Sequence, residues 1–507
     1  MKFIDNILNK VTMYRLVLYC LMGWILVAEV LSFFGILPFR PEALLYSTTV
    51  ILVVSWITNE LFARVFKAQA NVESVYITAF ILALLISPPG ANEYLSILPF
   101  VIWAGILAMA SKYILAINKK HIFNPAAIAI VITALAINES ATWWIGTTSM
   151  LPFVIVGGLF ITRKIKRFDL VISFLLFALT STIIGAYGHS DPLTVLRQIF
   201  LNSPIIFFAL VMLTEPLTTP PDRSRRIVYG AITGLVFGPT IHLGWLYSTP
   251  ELALCFGNIF SWLMSPKAKY MLTLKSKVKI ARDTAEFAFV PDRRVSFKPG
   301  QYLEWTLAHS PSDSRGNRRY FTIASSPTEK NLLLGIKFDA KKSSSFKKAL
   351  AELDEGKTIM AGSLSGNFTL PRNRKKKLCF IAGGIGVTPF RSMIQYMIDS
   401  KDYRDAILVY SCKTFDEIAY TDVVHKAKEL AGLKTVCTLT DLDHLPTDWS
   451  GYKGYVNIEI IIKEVPDYNE RVFFISGPHS LIQAVEEVLA GLQVPKSHIK
   501  TDYFPGF

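Results

Sequence analysis

Ten apolar stretches, the third, fifth and sixth of them short for a straight span, fill the first half of this 507-residue chain and leave it few ways to fold. They run over 14–36, 45–66, 73–88, 94–115, 123–138, 149–162, 168–188, 197–216, 226–247 and 250–265. A helix needs about 20 mostly apolar residues to cross a hydrocarbon core, so the pattern predicts a polytopic α-helical membrane domain of about ten helices over 1–267. The loops alternate in charge. Lys2 and Lys10, Arg64 and Lys67, Lys112 with Lys119 and Lys120, Arg163 to Arg167, Arg223 to Arg226, and Lys267 with Lys269 mark every second connection. Basic residues gather on the cytoplasmic side. The expected topology is therefore multi-pass in the cell membrane, with N- and C-termini cytoplasmic and lipid as a partner. The first stretch lacks a small-residue cleavage site and reads as a membrane helix, not a removable signal.

Composition agrees. Hydrophobic residues make up 51% and charged residues 18%, against about 25% charged in a soluble chain, and the deficit lies almost entirely before Ser265. Much of the basic excess behind the net charge of +14 lies in those short loops, so no nucleic-acid partner is expected. Cys20, Cys255, Cys379, Cys412 and Cys437 are too far apart for a plant-type iron–sulfur spacing and imply no disulfide framework. No metal site is expected. Bis-histidine haem needs paired histidines on facing helices, and this half carries only His121, His189 and His242. A haem-type transmembrane ferric reductase is therefore the weaker alternative, and no haem is expected.

Asn59, Glu60, Asn124, Thr214, Glu215, His242 and Asn258 are polar at membrane depth or its edge. Such residues are costly in lipid and mark function by default, although each could equally be a cap or an interhelical bond. Glu60 and Glu215 keep open a redox-driven ion pump or transporter. The segments "KKHIFNPAA" (119–127), "ITAFILALLISPPG" (77–90), "LTEPLTTP" (213–220) and "YGAITGLVFG" (229–238) resemble one membrane subunit family. Its members are the B subunit of the sodium-pumping NADH:quinone oxidoreductase and the D subunit of the Rnf complex. The resemblance implies flavin inside the membrane. That family attaches FMN to the threonine of a Ser-Gly-Ala-Thr motif, which this chain lacks. "NESATWWIGTTS" (138–149) occupies the region, and its "IGTTS" is similar to the family's Gly-Glu-Thr-Ser after the attachment loop. The implied flavin is thus a non-covalent FMN or riboflavin, with Asn124, Thr148 and Glu215 as its binding residues.

From about 268 the pattern changes to short period-2 runs such as "TAEFAFVP" and "QYLEWTLA", which predict an antiparallel β-barrel domain over 268–372. "RRYFTIASS" (318–326) follows. Arg319 can pair with a pyrophosphate, Tyr320 or Phe321 can stack on a flavin ring, and Thr322 and Ser325 can hydrogen-bond to it. Ser344 and Ser345 in "KKSSSFKKAL" stand where a helix begins, and unpaired N–H groups there favour phosphate. Residues 373–507 alternate strand and helix and predict an α/β nucleotide-binding domain. In "KLCFIAGGIGVTPF" (377–390), Gly383, Gly384 and Gly386 form a turn that lets backbone approach a dinucleotide, and Thr388 and Pro389 open the helix. Ser411, and Ser476 with Gly477 and Pro478, end two further strands, where ligands bind in such sheets.

Taken in order, these elements resemble ferredoxin–NADP reductase-like FAD/NAD(P) oxidoreductases. The resemblance implies FAD and NAD(P)H as cofactors. It also implies that Ser476, in place of the family's cysteine, and Phe504 or Tyr503, as the ring cover, flank hydride transfer. The whole chain then reads as a membrane-bound NAD(P)H dehydrogenase. Electrons would pass from NAD(P)H through FAD to a membrane-domain flavin, and on to a quinone or an extracytoplasmic redox protein, with partner subunits allowed. Lys413 could meet a 2′-phosphate or simply face solvent, so NADH and NADPH stay open.

Overall fold

The computed structural model describes residues 8, 11–66, 72–117, 120–187, 191–238, 242–243, 246–264, 269–311, 313, 316–339 and 343–502. The chain divides into two compact units, Met1–Ala268 with Pro505–Phe507, and Lys269–Phe504.

The first unit is helical. Its helices are α1 (Met13–Phe33), α2 (Pro41–Val65), α3 (Val72–Leu85), α4 (Leu98–Ile114), α5 (Pro125–Ile137), α6 (Leu151–Ile165), α7 (Phe168–Ala186), α8 (Pro192–Leu201), α9 (Ile205–Met212), α10 (Arg223–Phe237) and α11 (Pro250–Met264). Each of the ten apolar stretches holds helix. Among the described residues, however, only α1, α2 and α7 are long and apolar enough to cross a membrane alone; α8 and α9, bent by 64°, make a fourth if counted as one span. Two of the short helices start at a proline inside their runs, α4 with Pro99 in its first turn and α5 at Pro125. There proline fixes the helix start and disfavours helix in the residue before it, so the run begins before the helix does. Leu26, Val30 and Phe33 on α1 and Leu176 and Ile184 on α7 are exposed, giving these helices outward apolar faces.

Gly230 and Gly234 set the distance between α10 and α7. A Cβ on Gly234 would lie 2.5 Å from the Phe174 carbonyl oxygen and 2.9 Å from the Ala178 nitrogen, so the helices touch backbone to backbone through small residues. Gly234→Val is expected to cost about 1–3 kcal/mol through overpacking. Thermal denaturation in detergent should show a lowered Tm for it and little change for Gly23→Ala, because nothing lies within 4 Å of a Cβ at Gly23.

The second unit opens with strands β1 (Tyr270–Ala281), β2 (Thr284–Pro291), β3 (Tyr302–Thr306), β4 (Arg318–Thr322) and β5 (Leu332–Lys337), then helix α12 (Ser345–Glu352) and β6 (Thr358–Ser365). They form one antiparallel sheet in the order β4-β3-β6-β1-β2-β5. The sheet curls until its edges meet, where Ala324 N–H donates to Leu333 O at 2.9 Å and Leu333 N–H donates to Ser325 Oγ at 3.1 Å. Leu274, Phe287, Phe289, Leu303 and Trp305 fill it.

The remainder is doubly wound: β7 (Leu378–Gly383), α13 (Thr388–Asp399), β8 (Ala406–Cys412), α14 (Thr421–Ala431), β9 (Lys434–Leu439), β10 (Tyr452–Lys453), α15 (Ile458–Glu464), β11 (Val472–Ser476), α16 (His479–Gly491) and β12 (Ile499–Asp502). The sheet is parallel in the order β10-β9-β8-β7-β11-β12. Every residue of β7, β8 and β11 is buried. Covered on both faces, such strands must read as unbroken apolar runs, as "LCFIA" and "VFFI" do.

Candidate functional site

The order of the parallel sheet reverses between β7 and β11, and that is where a doubly wound sheet opens a crevice at its carboxyl edge. Gly383 and Ser476 end these strands, one register step apart. Gly384 takes φ +51° with nothing within 4 Å of a Cβ, a left-handed turn whose outer side is open to a ligand. Gly386 has a different task. A Cβ there would sit 2.6 Å from Gly477 Cα and closer still to the Ser476 carbonyl oxygen, so Gly386 lets the two turns pack together. Thr388 Oγ1 donates to Ile385 O at 2.7 Å, and Pro389 is buried in the first turn of α13. Ser411 is buried beside Gly383 in the ladder. Thr388 N–H is taken by Ile385 O and Pro389 has none, so the open side of the Gly384 turn is where a pyrophosphate could approach the backbone.

The barrel reaches the same place. Thr322, the last residue of β4, donates from Oγ1 to Asp502 Oδ2 at 3.3 Å. Asp502 pairs with Ser476 across the β11–β12 ladder and also takes a side-chain bond from it. Three residues from three strands therefore converge. Burial pushes the Asp502 carboxyl up to about 7, against the lowering effect of the bonds from Thr322 and Ser476. Asp502 was not among the residues expected from sequence. Its signal was an acid closing a strand just before the aromatic pair Tyr503 and Phe504, which lie outside the described residues.

Arg319 and the start of α12 form a second niche. Arg319 is 2% exposed and donates from Nη2 to Asp313 Oδ1 at 3.1 Å, and from Nη1 to the carbonyls of Gly316 and Arg318 at 3.0 and 2.7 Å. Asp313 Oδ2 accepts from Ser345 N–H at 3.0 Å. Ser345 Oγ bonds His309 Nε2 at 2.8 Å and accepts from Asp313 N–H at 2.9 Å. Ser344 is the N-cap, its Oγ accepting from Lys347 N–H. The niche binds an anion, and here the anion is a carboxylate. Its donors fit a flavin pyrophosphate, provided Asp313 gives way. Tyr320 donates from its hydroxyl to Glu304 Oε1 at 3.2 Å, and the half-buried Phe321 ring lies 5.8 Å from that of Phe346. Ser325 is fully buried; its Oγ closes the barrel and its carbonyl accepts from Ser392 Oγ at 2.6 Å, so it stands behind the site and not in it.

In the helical unit, Asn124 and Glu215 meet. Asn124 caps α5 through Oδ1, which accepts from Ala127 N–H at 3.1 Å, and its Nδ2 donates to Glu215 Oε2 at 3.0 Å. Asn258 Oδ1 accepts from Asn124 N–H at 2.8 Å, and Asn258 Nδ2 donates to the Tyr229 hydroxyl at 3.0 Å. His121 Nε2 lies 3.7 Å from Glu215 Oε1. Asn124, Thr214 and Glu215 line a partly open pocket with Tyr14, Ser74 and Thr78. Thr148 is elsewhere: it is not in that lining, and its Oγ1 donates to Leu201 O at 3.0 Å. Glu60 pairs with Arg64 on the surface of α2, and His189 lies outside the described residues. Among the described residues no group of three or more His, Cys, Asp or Glu could hold a metal ion.

Comparison with known proteins bears on the second unit. Residues 380–487 match the oxidoreductase NAD-binding domain. The glycine betaine monooxygenase reductase subunit of Pseudomonas aeruginosa is 28% identical over 223 residues, 42% of this chain and 59% of that protein. The 3-ketosteroid-9-alpha-monooxygenase ferredoxin reductase component of Mycobacterium tuberculosis is 27% identical over 45% of this chain and 61% of its own. The crystal structure of the Amycolatopsis cytochrome P450 reductase GcoB aligns at 20% identity and a TM-score of 0.42, covering 47% of this chain and 70% of that one. The chain spans about 59% of the length of the first curated relatives it matches. By sequence, residues 380–487 are thus similar to an oxidoreductase NAD-binding domain, and the C-terminal half is similar to reductase subunits and components.

Proposed function

We propose that the chain is a membrane-bound NAD(P)H dehydrogenase that draws electrons from NAD(P)H at the C-terminal unit and delivers them, by way of the helical unit, to a quinone or an extracytoplasmic redox protein. The observation that carries this reading is the convergence of Thr322, Ser476 and Asp502, which brings the end of the flavin-type strand to the switch point of the nucleotide-type sheet. In it, Gly384 and the turn that leads into α13 hold the dinucleotide pyrophosphate, and Ser476 and Thr322 border the nicotinamide and flavin rings. Arg319, Ser344 and Ser345 hold the flavin pyrophosphate once Asp313 has moved aside, with Tyr320 and Phe321 beside the ring. FAD supplies the conversion of a two-electron donor into single-electron release.

The helical unit is read as related to the membrane subunits of the sodium-pumping and Rnf complexes, with about ten spans and both chain ends cytoplasmic. The cavity around Asn124 and Glu215 takes a non-covalent flavin. The Glu215 carboxylate disfavours a phosphate beside it, so the uncharged riboflavin fits better than FMN. The same carboxylate supports a second reading in which electron flow drives a cation. NADH-dependent sodium or proton uptake into inverted vesicles would favour it.

Inverted membrane vesicles holding the chain should oxidise added NAD(P)H, and sealed right-side-out vesicles should not until permeabilised. Reduction of an impermeant acceptor trapped inside inverted vesicles is the expected sign of full crossing. Reduction of lipid-soluble quinone alone would confine the activity to quinone reduction. Oxidation of external NAD(P)H by sealed right-side-out vesicles would overturn the topology.

A further inference from the structure

The tails of β8 and β9 stay paired beyond the strands. Thr440 N–H donates to Cys412 O and Asp441 N–H to Lys413 O, each at 3.0 Å. This fixes Asp441 beside Lys413 at the carboxyl edge of the sheet, on the β8 side of the glycine turn. Asp441 Oδ2 lies 4.0 Å from Lys413 Nζ, and Asp441 Oδ1 lies 3.1 Å from His444 Nδ1. Phe415, two residues on from Lys413, is an exposed ring set edge-on to Trp449 at 6.0 Å. Two other acids of this corner are already matched: Glu417 by Lys337 at 2.8 Å, and Asp416 by Arg282 at 3.5 Å.

From these contacts we infer that the nucleotide is NADH and that Asp441 is the residue that selects it. The inference rests on the dehydrogenase reading above. A dinucleotide whose pyrophosphate sits at the β7–α13 turn, with its nicotinamide towards β11, must lay its adenosine over the ends of β8 and β9. There Phe415 offers the adenine a face, and the Asp441 carboxylate offers the ribose 2′-hydroxyl an acceptor, as an acid does at strand ends of doubly wound sheets. A 2′-phosphate would bring close to two negative charges to the same spot. Lys413 does not rescue it. Its ammonium is shared with Asp441, and its side chain is 69% exposed, so solvent screens its attraction. Like charges face to face reject a partner strongly.

The test compares NADH and NADPH with ferricyanide as acceptor, using the purified full chain in detergent. The expected kcat/KM for NADH exceeds that for NADPH by at least about tenfold. Asp441→Asn should raise the NADPH value and lower the NADH value, closing the gap. Lys413→Glu, on an exposed side chain that the fold does not need, should widen it by lowering the NADPH value. Turnover with NADPH equal to or better than NADH would overturn the inference and leave the dehydrogenase reading standing. So would a ratio unmoved by both variants. If neither nucleotide is oxidised while FAD is bound, reading and inference fall together.

Discussion

Gly386→Val is expected to lower kcat/KM for NADH by about 100-fold or more, with FAD still bound. The argument is steric and local. The Cβ alone would stand 2.6 Å from Gly477 Cα and from the Ser476 carbonyl carbon, and these are backbone atoms that cannot swing aside. Either the Ser476–Pro478 turn withdraws from the glycine turn, or α13 shifts at its start. Both displace the groups proposed to border the nicotinamide, and misplacement by about 1 Å costs about 100-fold. Arg319 and α12 lie on the barrel, so the flavin niche is not touched directly. Steady-state kinetics with ferricyanide and the flavin-to-protein absorbance ratio separate the effects. Equal loss of flavin and turnover would mean that the unit has unfolded. Unchanged kinetics would remove the turn from the site.

Local signals in the sequence were sufficient for the strands, the glycine turn and the helix starts. The apolar runs of β7 and β11 follow from burial on both faces, and Asn124 followed by Pro125 marks the start of α5 through a cap and a fixed φ. What escaped depends on residues far apart in the chain. Asp313 meets Ser345 across 32 positions and Asp502 meets Thr322 across 180, and neither acid sits in a periodic pattern. Ser325 was read with its neighbours as a flavin contact, yet the curl of the barrel turns it inward to close the ring. The reason for Gly386 also changed, from approach of a ligand to approach of another turn, because only the fold brings Ser476 to it. In the helical unit the apolar stretches did hold helix. The runs at 73–88, 123–138 and 149–162 were already short for a straight span, and their helices are short as well; the shortness of the helix in 94–115 was not legible, because Pro99 delays its start without changing the composition.

Asp502 leads to the other large effect, which is a dependence on pH. Its carboxyl is pushed up to about 7 by burial, and the bonds from Thr322 and Ser476 only partly oppose this. The group is therefore protonated below pH 7 and ionised above it, while in the unfolded chain it ionises near the ordinary value of 3.8. The sign follows. The raised value gives stability that is fully present below about pH 4 and lost as pH rises through 7. The same ionisation acts on the site. A buried carboxylate is costly even with two hydrogen bonds, so above pH 7 arrangements that let water reach Asp502 are favoured. The link between β4, β11 and β12 then loosens where the two rings are expected to meet. If only the protonated form holds the site, turnover with NADH should fall tenfold per unit above pH 7, to about one hundredth at pH 9. Asp502→Asn keeps a neutral group able to bond Thr322 and Ser476 and removes the charge. Its profile should stay flat across pH 7 to 9, with activity near that of the parent at pH 6. A parent profile without a break near pH 7, or a break that persists in Asp502→Asn, would show that another group governs turnover.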